Sequence, residues 1–261
     1  MTLASSRCMG ALLLLVWSLA PLAANSVDTP DAEQSKTEIR VAIDAWPPFR
    51  ILDSEEEGYS GIDFDLWALL ANELKLEINY VRCPWVRCLK MMEDGAVDAM
   101  SGLALRPDRA VYMDYLEPAY YSCSTVFYVR KGRGGMLQNY EDLYRIDVGI
   151  VTGSAYFQAF DDDEKINKIG VSTEKQLVDM LGRLRLTAIV GTDCQADYEI
   201  AQSPYKGQFE KAEYRPSNSV DLYFAISKKS SFRDKKDEFS QALTHLLQAG
   251  AIEEIRHQYL H

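Results

Sequence analysis

The sequence predicts an α/β fold built as two units, and three observations carry that prediction. Short runs rich in β-branched residues alternate with amphipathic stretches from residue 38 to about 104, and the same alternation returns after residue 139. Strand, helix and strand in that order argue for mainly parallel strands with covering helices. Two longer β runs, "SCSTVFYVRKG" and "SVDLYFAISKKS", stand where the chain would leave the first unit and return to it.

Residues 1–26 are read as a secretory signal peptide and set apart from the fold. Arg7 precedes an apolar run from Ala11 to Ala24, and small residues follow. That run is about 14 residues, short of the roughly 20 that a membrane span needs. An uncleaved anchor is the alternative. Cys8 lies before the apolar run, which argues against a lipid anchor. Residues 27–38 are polar and read as a loose leader. The expected location is the periplasm.

In the first unit "EIRVAIDAW" is a strand. "IDFDLWALLANELKL" is a helix with Leu66, Leu69, Leu70 and Leu74 on one face. "EINYV" is a strand, "WVRCLKMMEDG" a helix stopped by Gly95, and "AVDAMSG" a strand. The second unit holds "NYEDLYR" as a short helix, "IDVGIV" as a strand and "GSAYFQAFD" as the opening of a helix. It continues with strand "NKIGVS", helix "TEKQLVDMLGRLR", strand "LTAIVGT" and helix "DCQADYEIAQ". The helices "FRDKKDEFSQALTHLLQ" and "AIEEIRHQYL" close the chain, with Gly250 between them. The expected division is 39–121 with 223–261 as one lobe and 122–222 as the other. Two crossings make a hinge, and a cleft between α/β lobes is a natural ligand site.

The net charge of -11 argues against nucleic acid and anionic membrane surfaces as partners. Past the leader the cysteines are Cys83, Cys88, Cys123 and Cys194. An oxidising compartment permits disulfides. Cys83 and Cys88, five apart, could form a local bridge or stay free. A Cys123–Cys194 bridge is less favoured, because nothing local brings the two together. Metal binding is not expected: there is no CxxC pair, and the three histidines fall in the last 17 residues. No cofactor is expected.

One stretch poses a sharper question. "VDAMSGLALRPDR" runs from a nearly buried strand straight into Arg106 and Arg109. Either these are solvated loop charges, or one guanidinium turns inward to hold a carboxylate. Around it stand "WPPF", "GIDFDLWALLANEL", "MEDGAVDAMSGLALRPDR", "EPAYY", "VGIVTGSAYF", "LTAIVGTD", "LYFAISKKS" and "AGAIEEIRHQYL". In this order they resemble the periplasmic solute-binding proteins of the polar amino-acid type, the soluble receptors of ABC importers. The likeness covers nearly all of residues 38–261.

The resemblance implies two Rossmann-like lobes joined by two crossing strands, in the type II periplasmic-binding-protein architecture. It implies a monomer that binds a small carboxylate-bearing solute and delivers it to a membrane permease. By the same resemblance Arg109 is the α-carboxylate fork, which a guanidinium suits better than an ammonium does, and Arg106 is solvated. Trp46 and Trp85 are aromatic walls, or else ordinary core tryptophans. Asp44 reads a ligand amine or caps the chain. Gly102 lets the ligand approach the backbone. Thr152 and Ser154, with the amides near Ser154 and Ala155, open a helix that binds an anion or is plainly capped.

The sequence departs from the family pattern at two places. Ala104 stands where a Ser or Thr usually assists the carboxylate. Thr192 stands where an aspartate usually takes the ligand ammonium, with Asp193 one residue later: either a one-residue shift lets Asp193 do that job, or the ammonium clamp is absent. Arg87 either adds an anion contact or points outward, the latter being favoured. Two alternatives remain beside solute delivery. One is a sensory ligand-binding module. The other is a dehydratase-type enzyme with Asp44, Glu117 or Asp193 as its acid; no nucleophile–base pair supports it, and the chain is expected not to be an enzyme.

Overall fold

The computed structural model describes residues 37–52 and 58–260. The expected signal peptide and most of the leader lie outside the described residues; Thr37 and Glu38 already belong to the first strand. No helix among the described residues is long and apolar enough to cross a membrane.

The fold is mixed α/β. The strands β1 (Thr37–Ile43), β4 (Leu76–Arg82) and β5 (Ala99–Ala104) are parallel, joined by α1 (Ile62–Leu74) and α2 (Trp85–Asp94). Parallel neighbours need such crossover connections. A two-stranded ribbon, β2 (Ile51–Leu52) with β3 (Tyr59–Ser60), precedes α1 and was not expected. The short α3 (Pro107–Ala110) then leads into β6 (Met113–Arg130). A second parallel set follows: β7 (Asp147–Val151), β8 (Asn167–Val171) and β9 (Ala188–Thr192). Its helices are α4 (Gln158–Asp161), α5 (Glu174–Gly182) and α6 (Asp193–Gln202). The expected "NYEDLYR" helix is a 3-10 helix at Tyr140–Arg145. The chain ends through β10 (Phe209–Lys211), β11 (Ser219–Ser227), α7 (Lys236–Gln248) and α8 (Ala251–Tyr259).

The two parallel sets meet through antiparallel strands, in the order β4-β1-β5-β11-β6-β9-β7-β8, with β10 also on β6. The 18-residue β6 does most of the joining. Its residues Met113 to Ser124 pair with β11, and Thr125 to Val129 pair with β9. At about 3.3 Å per residue such a strand reaches roughly 60 Å, enough to belong to both sets. Each set has a core on both faces. In the first, α1, α7 and α8 pack one face around Trp67 and Phe224, while α2 covers the other around Met92 and Met100. In the second, Phe127 and Phe160 centre one core, and Leu177, Leu181 and Ile189 the other.

Local chemistry explains the element ends. Gly95 caps α2 in the left-handed region, as its sequence position suggested, and its amide reaches the Met92 carbonyl. In α1 the buried stripe is rotated from the expected one. Leu66 and Leu70 are buried, but Leu69 is 38% exposed, and Ile62, Phe64, Trp67 and Ala71 complete the covered face. The helix is wedged between the sheet and the C-terminal helices, so a wider arc is covered than one leucine stripe supplies.

Both disulfides are present: Cys83–Cys88, and Cys123–Cys194 across a separation of 71 residues. The less favoured pairing forms because the β6–β9 register sets Thr125 opposite Thr192, which brings Cys123 alongside Cys194. A bridge of this kind is invisible until the sheet exists.

Candidate functional site

The carboxyl ends of β1 and β5 and the loop after β7 surround one cavity. Its free volume is about 70 Å³.

Its first wall grows from the "WPPF" turn. Trp46 and Arg50 exchange two backbone hydrogen bonds at 2.9 Å, which folds the turn back on itself. The Trp46 ring stacks on Phe49 with centroids 4.3 Å apart, and the Arg50 guanidinium lies 5.0 Å from it. Arg50 is 1% exposed. It donates to Asp44 at 2.7 Å, to the Ser101 carbonyl at 3.2 Å and to Asp63. Tyr120 and Ser101 hydroxyls also donate to Asp63, at 2.6 and 2.8 Å. Burial alone would lower the Arg50 pKa, but Asp44 and Asp63 outweigh it and hold the guanidinium charged. Gly102 closes this corner with φ of +73°; a Cβ there would stand 2.6 Å from Arg50 Nη1 and 2.9 Å from the Trp46 ring.

Arg109 comes from α3 and is 3% exposed. Its Nη1 donates to the Ala104 carbonyl at 3.3 Å and its Nη2 to the Gly153 carbonyl at 2.6 Å. Its guanidinium lies 5.4 Å from the Trp85 ring centre. It makes no ion pair among the described residues, and burial lowers its pKa. The contact to Gly153 spans from the first strand set to the second, and a positive φ of +79° at Gly153 shapes that loop.

Opposite lie Ser154, Tyr156, Thr192 and Gln195, together with Glu174, the first residue of α5. Glu174 is 4% exposed. Its Oε1 and the Trp85 indole Nε1 are buried atoms without a hydrogen-bond partner, and both residues line this cavity. Burial pushes the Glu174 carboxyl up to about 8, and the Glu199 carboxylate adds to the shift.

A family model for bacterial extracellular solute-binding proteins, family 3, matches residues 39–261. The chain belongs to that family. Among curated relatives, a protein named as an amino-acid ABC transporter-binding protein, PatH of Vibrio harveyi, is 27% identical over 143 residues. That match covers 54% of this chain and 56% of the relative, so it spans about half the length of each. Among solved structures, an ancestral arginine-binding protein bound to arginine superposes with a TM-score of 0.75 at 21% identity, covering 87% of this chain and 99% of its own. A histidine kinase sensor domain superposes with a TM-score of 0.74 at 16% identity, covering 87% and 96%. These likenesses show the fold, the type II periplasmic-binding-protein architecture.

In this solute-binding protein the cavity gathers seven of the nine residues singled out from sequence: Asp44, Trp46, Trp85, Gly102, Arg109, Ser154 and Thr192. The other two do not line it. Thr152 is exposed, and a Cβ on Gly170 of the neighbouring strand would stand 2.6 Å from its hydroxyl, so the side chain is turned toward β8. Asp193 accepts the Ser124 amide of β6 at 2.8 Å, which ties it to the crossing strand. Asp44 lines the cavity, but its carboxylate is engaged by Arg50.

The expected helix opening at Ser154 is absent. The Ser154 amide turns back to the Val151 carbonyl at 3.0 Å, and α4 starts only at Gln158. Asp161 intercepts the Tyr156 amide, which shortens the helix from its front. Arg87 is exposed, as favoured. Arg106 is not simply solvated: it donates to Asp108 at 3.0 Å and to Asp161 of the second set at 3.1 Å. Arg50 and Glu174 were missed. Glu174 reads in sequence as a first-turn acid complementing the helix dipole, and its burial depends on neighbours that only the fold supplies, Gly191 among them. A Cβ at Gly191 would stand 2.5 Å from Glu174 Oε1.

Proposed function

We propose that this protein captures a small carboxylate-bearing solute, an amino acid or related organic acid, outside the cytoplasm and delivers it to an ABC permease. The observation that carries the proposal is Arg109. A buried guanidinium that donates only to carbonyl oxygens and forms no ion pair among the described residues is short of a counter-charge, and a ligand carboxylate supplies one. Trp46 and Trp85 then flank the rest of the ligand, and Ser154 and Thr192 offer hydroxyls. Closure about the two crossings is driven by a ligand that touches both lobes. The amino-acid transporter name of the Vibrio relative and the arginine-binding relatives support the solute class.

The test is a panel of the twenty L-amino acids and small mono- and dicarboxylates, screened by thermal shift and followed by calorimetry. For any member that binds, Arg109→Ala should cost on the order of 2–5 kcal/mol, the price of stranding a charge. Arg109→Lys should also weaken binding, since the planar fork is lost. Unchanged affinity in Arg109→Ala would sink the proposal.

A dehydratase-type reading has one observation in its favour, the acid held protonated at Glu174. The three acids that the sequence offers for such chemistry do not serve: Glu117 is exposed, Asp44 is ion-paired and Asp193 is bound to backbone. Turnover of a cyclic dicarboxylate would establish the enzyme; its absence would favour capture alone. The sensor reading shares the whole cavity and differs only in the partner.

A further inference from the structure

The cavity holds two buried polar atoms without partners, the Glu174 Oε1 and the Trp85 Nε1. Groups left this way are uncommon and call for a reason, since each forgoes water without a replacement bond. Trp85 can only donate, so it suits an oxygen. Glu174 ionised can only accept, so it suits a cation or an N–H donor. Among the other acids, Asp44 and Asp63 are ion-paired to Arg50 and Asp193 accepts the Ser124 amide; Glu199 does not line the cavity.

We propose that Glu174, rather than Asp193, takes the ammonium of a zwitterionic ligand whose carboxylate lies on Arg109. The proposal rests on the reading of Arg109 above and extends it to the second charge. It follows that the ligand carries at least one ammonium or comparable N–H cation beside its carboxylate. It also follows that binding moves a proton. With its carboxyl pushed up to about 8, Glu174 is mainly protonated at pH 7. An arriving ammonium favours the carboxylate, so the Glu174 proton leaves to solvent as the N–H···O bond forms.

The charged and titratable surroundings agree with that direction. Glu199 of α6 raises the proton affinity of Glu174, and Lys175 beside Glu199 tempers that carboxylate. Tyr156 and Tyr128 are held neutral by burial. Across the cavity stand Arg109 and the Arg50–Asp44 pair. None of them forms an ion pair with Glu174.

The experiment uses the exported chain without its first 26 residues and the same panel. For each amino acid that binds, the analogue with hydrogen in place of the ammonium is tested as well. The amino acid should bind and its amine-free analogue should bind at least tenfold more weakly. Calorimetry at pH 7 in buffers of different ionisation enthalpy should count close to one proton released. Affinity should rise by up to about tenfold per pH unit from pH 6 to 8 and then level. Glu174→Gln should bind at least tenfold more weakly and lose both the proton release and the pH slope. An undiminished Glu174→Gln, or an amine-free analogue that binds equally well, overturns the assignment while leaving the Arg109 reading in place. A tenfold loss in Asp193→Asn with Glu174→Gln unchanged also overturns it, since Asn keeps an oxygen for the Ser124 amide. Undiminished binding in Arg109→Ala, or no binding by any panel member, counts against both.

Discussion

The two disulfides can be set against each other as a quantitative test. Both constrain the unfolded chain, but over separations of 71 and 5 residues. The chain-entropy relation assigns about 4.4 kcal/mol to the longer loop and about 2.1 kcal/mol to the shorter. Replacing each pair by alanines, Cys123→Ala with Cys194→Ala and Cys83→Ala with Cys88→Ala, makes the same chemical change in both variants. Three of the four side chains are buried and Cys194 is half-buried, so the packing losses are similar in kind. Urea denaturation of the two double variants should therefore differ by about 2 kcal/mol, with the Cys123/Cys194 variant less stable. Its denaturant slope should also rise more, because its unfolded chain is freed over a longer loop and exposes more surface. If it unfolds at the same urea concentration as the Cys83/Cys88 variant, or higher, with an equal slope, the loop argument fails for this protein.

The Arg109 and Glu174 substitutions are stated with their assays above, and two further outcomes concern stability. Arg50→Met should destabilise by about 3–5 kcal/mol in urea, because Asp63 is left buried with only hydroxyl donors. Adding Asp63→Asn should recover part of that loss, and a double variant no better than the single one would show that the ion pair is not the cause. Asp98→Asn should flatten stability on the acid side. Burial works against the Asp98 carboxylate, but the Arg40 side chain and amide and the Ser230 hydroxyl hold its pKa below the ordinary value. A depressed pKa means stability that is present above about pH 4 and lost as pH falls through the folded value. An unchanged stability curve in the variant between roughly pH 5 and 3 would contradict this.

What could be read in advance was local. The strand and helix alternation, the Gly95 stop and the arginine beside a buried strand all depend on neighbours in sequence. Arg109 was legible through the family resemblance; its place after a buried run left both it and Arg106 open as solvated loop charges. Four features were not legible, and each depends on an element that only the fold brings alongside. The Cys123–Cys194 pair needs the β6–β9 register. Glu174 packs against Gly191, which comes 17 positions later in the chain. Asp193 looked free to move into the cleft by one residue, but the first position of α6 turns it onto the Ser124 amide instead. Arg50 drew no reading from sequence, and it became the hub of a buried network only once α1 had delivered Asp63. Leu69 failed for a related reason: periodicity finds a helix face but not the direction from which other helices will cover it.

The short helix Pro107–Ala110 carries Arg109 and is preceded by Arg106 at its N-cap, and both side chains end on the far side of the cleft. Arg106 grips the Asp161 carboxylate and Arg109 grips the Gly153 carbonyl. They act as two prongs of one clasp. A guanidinium has five N–H groups, so Arg109 can hold cargo on its remaining edge without letting go of Gly153. Parting the two halves must undo both prongs, and in the proposed function one of them also holds the cargo. Unlatching the molecule and unloading it would then be a single event.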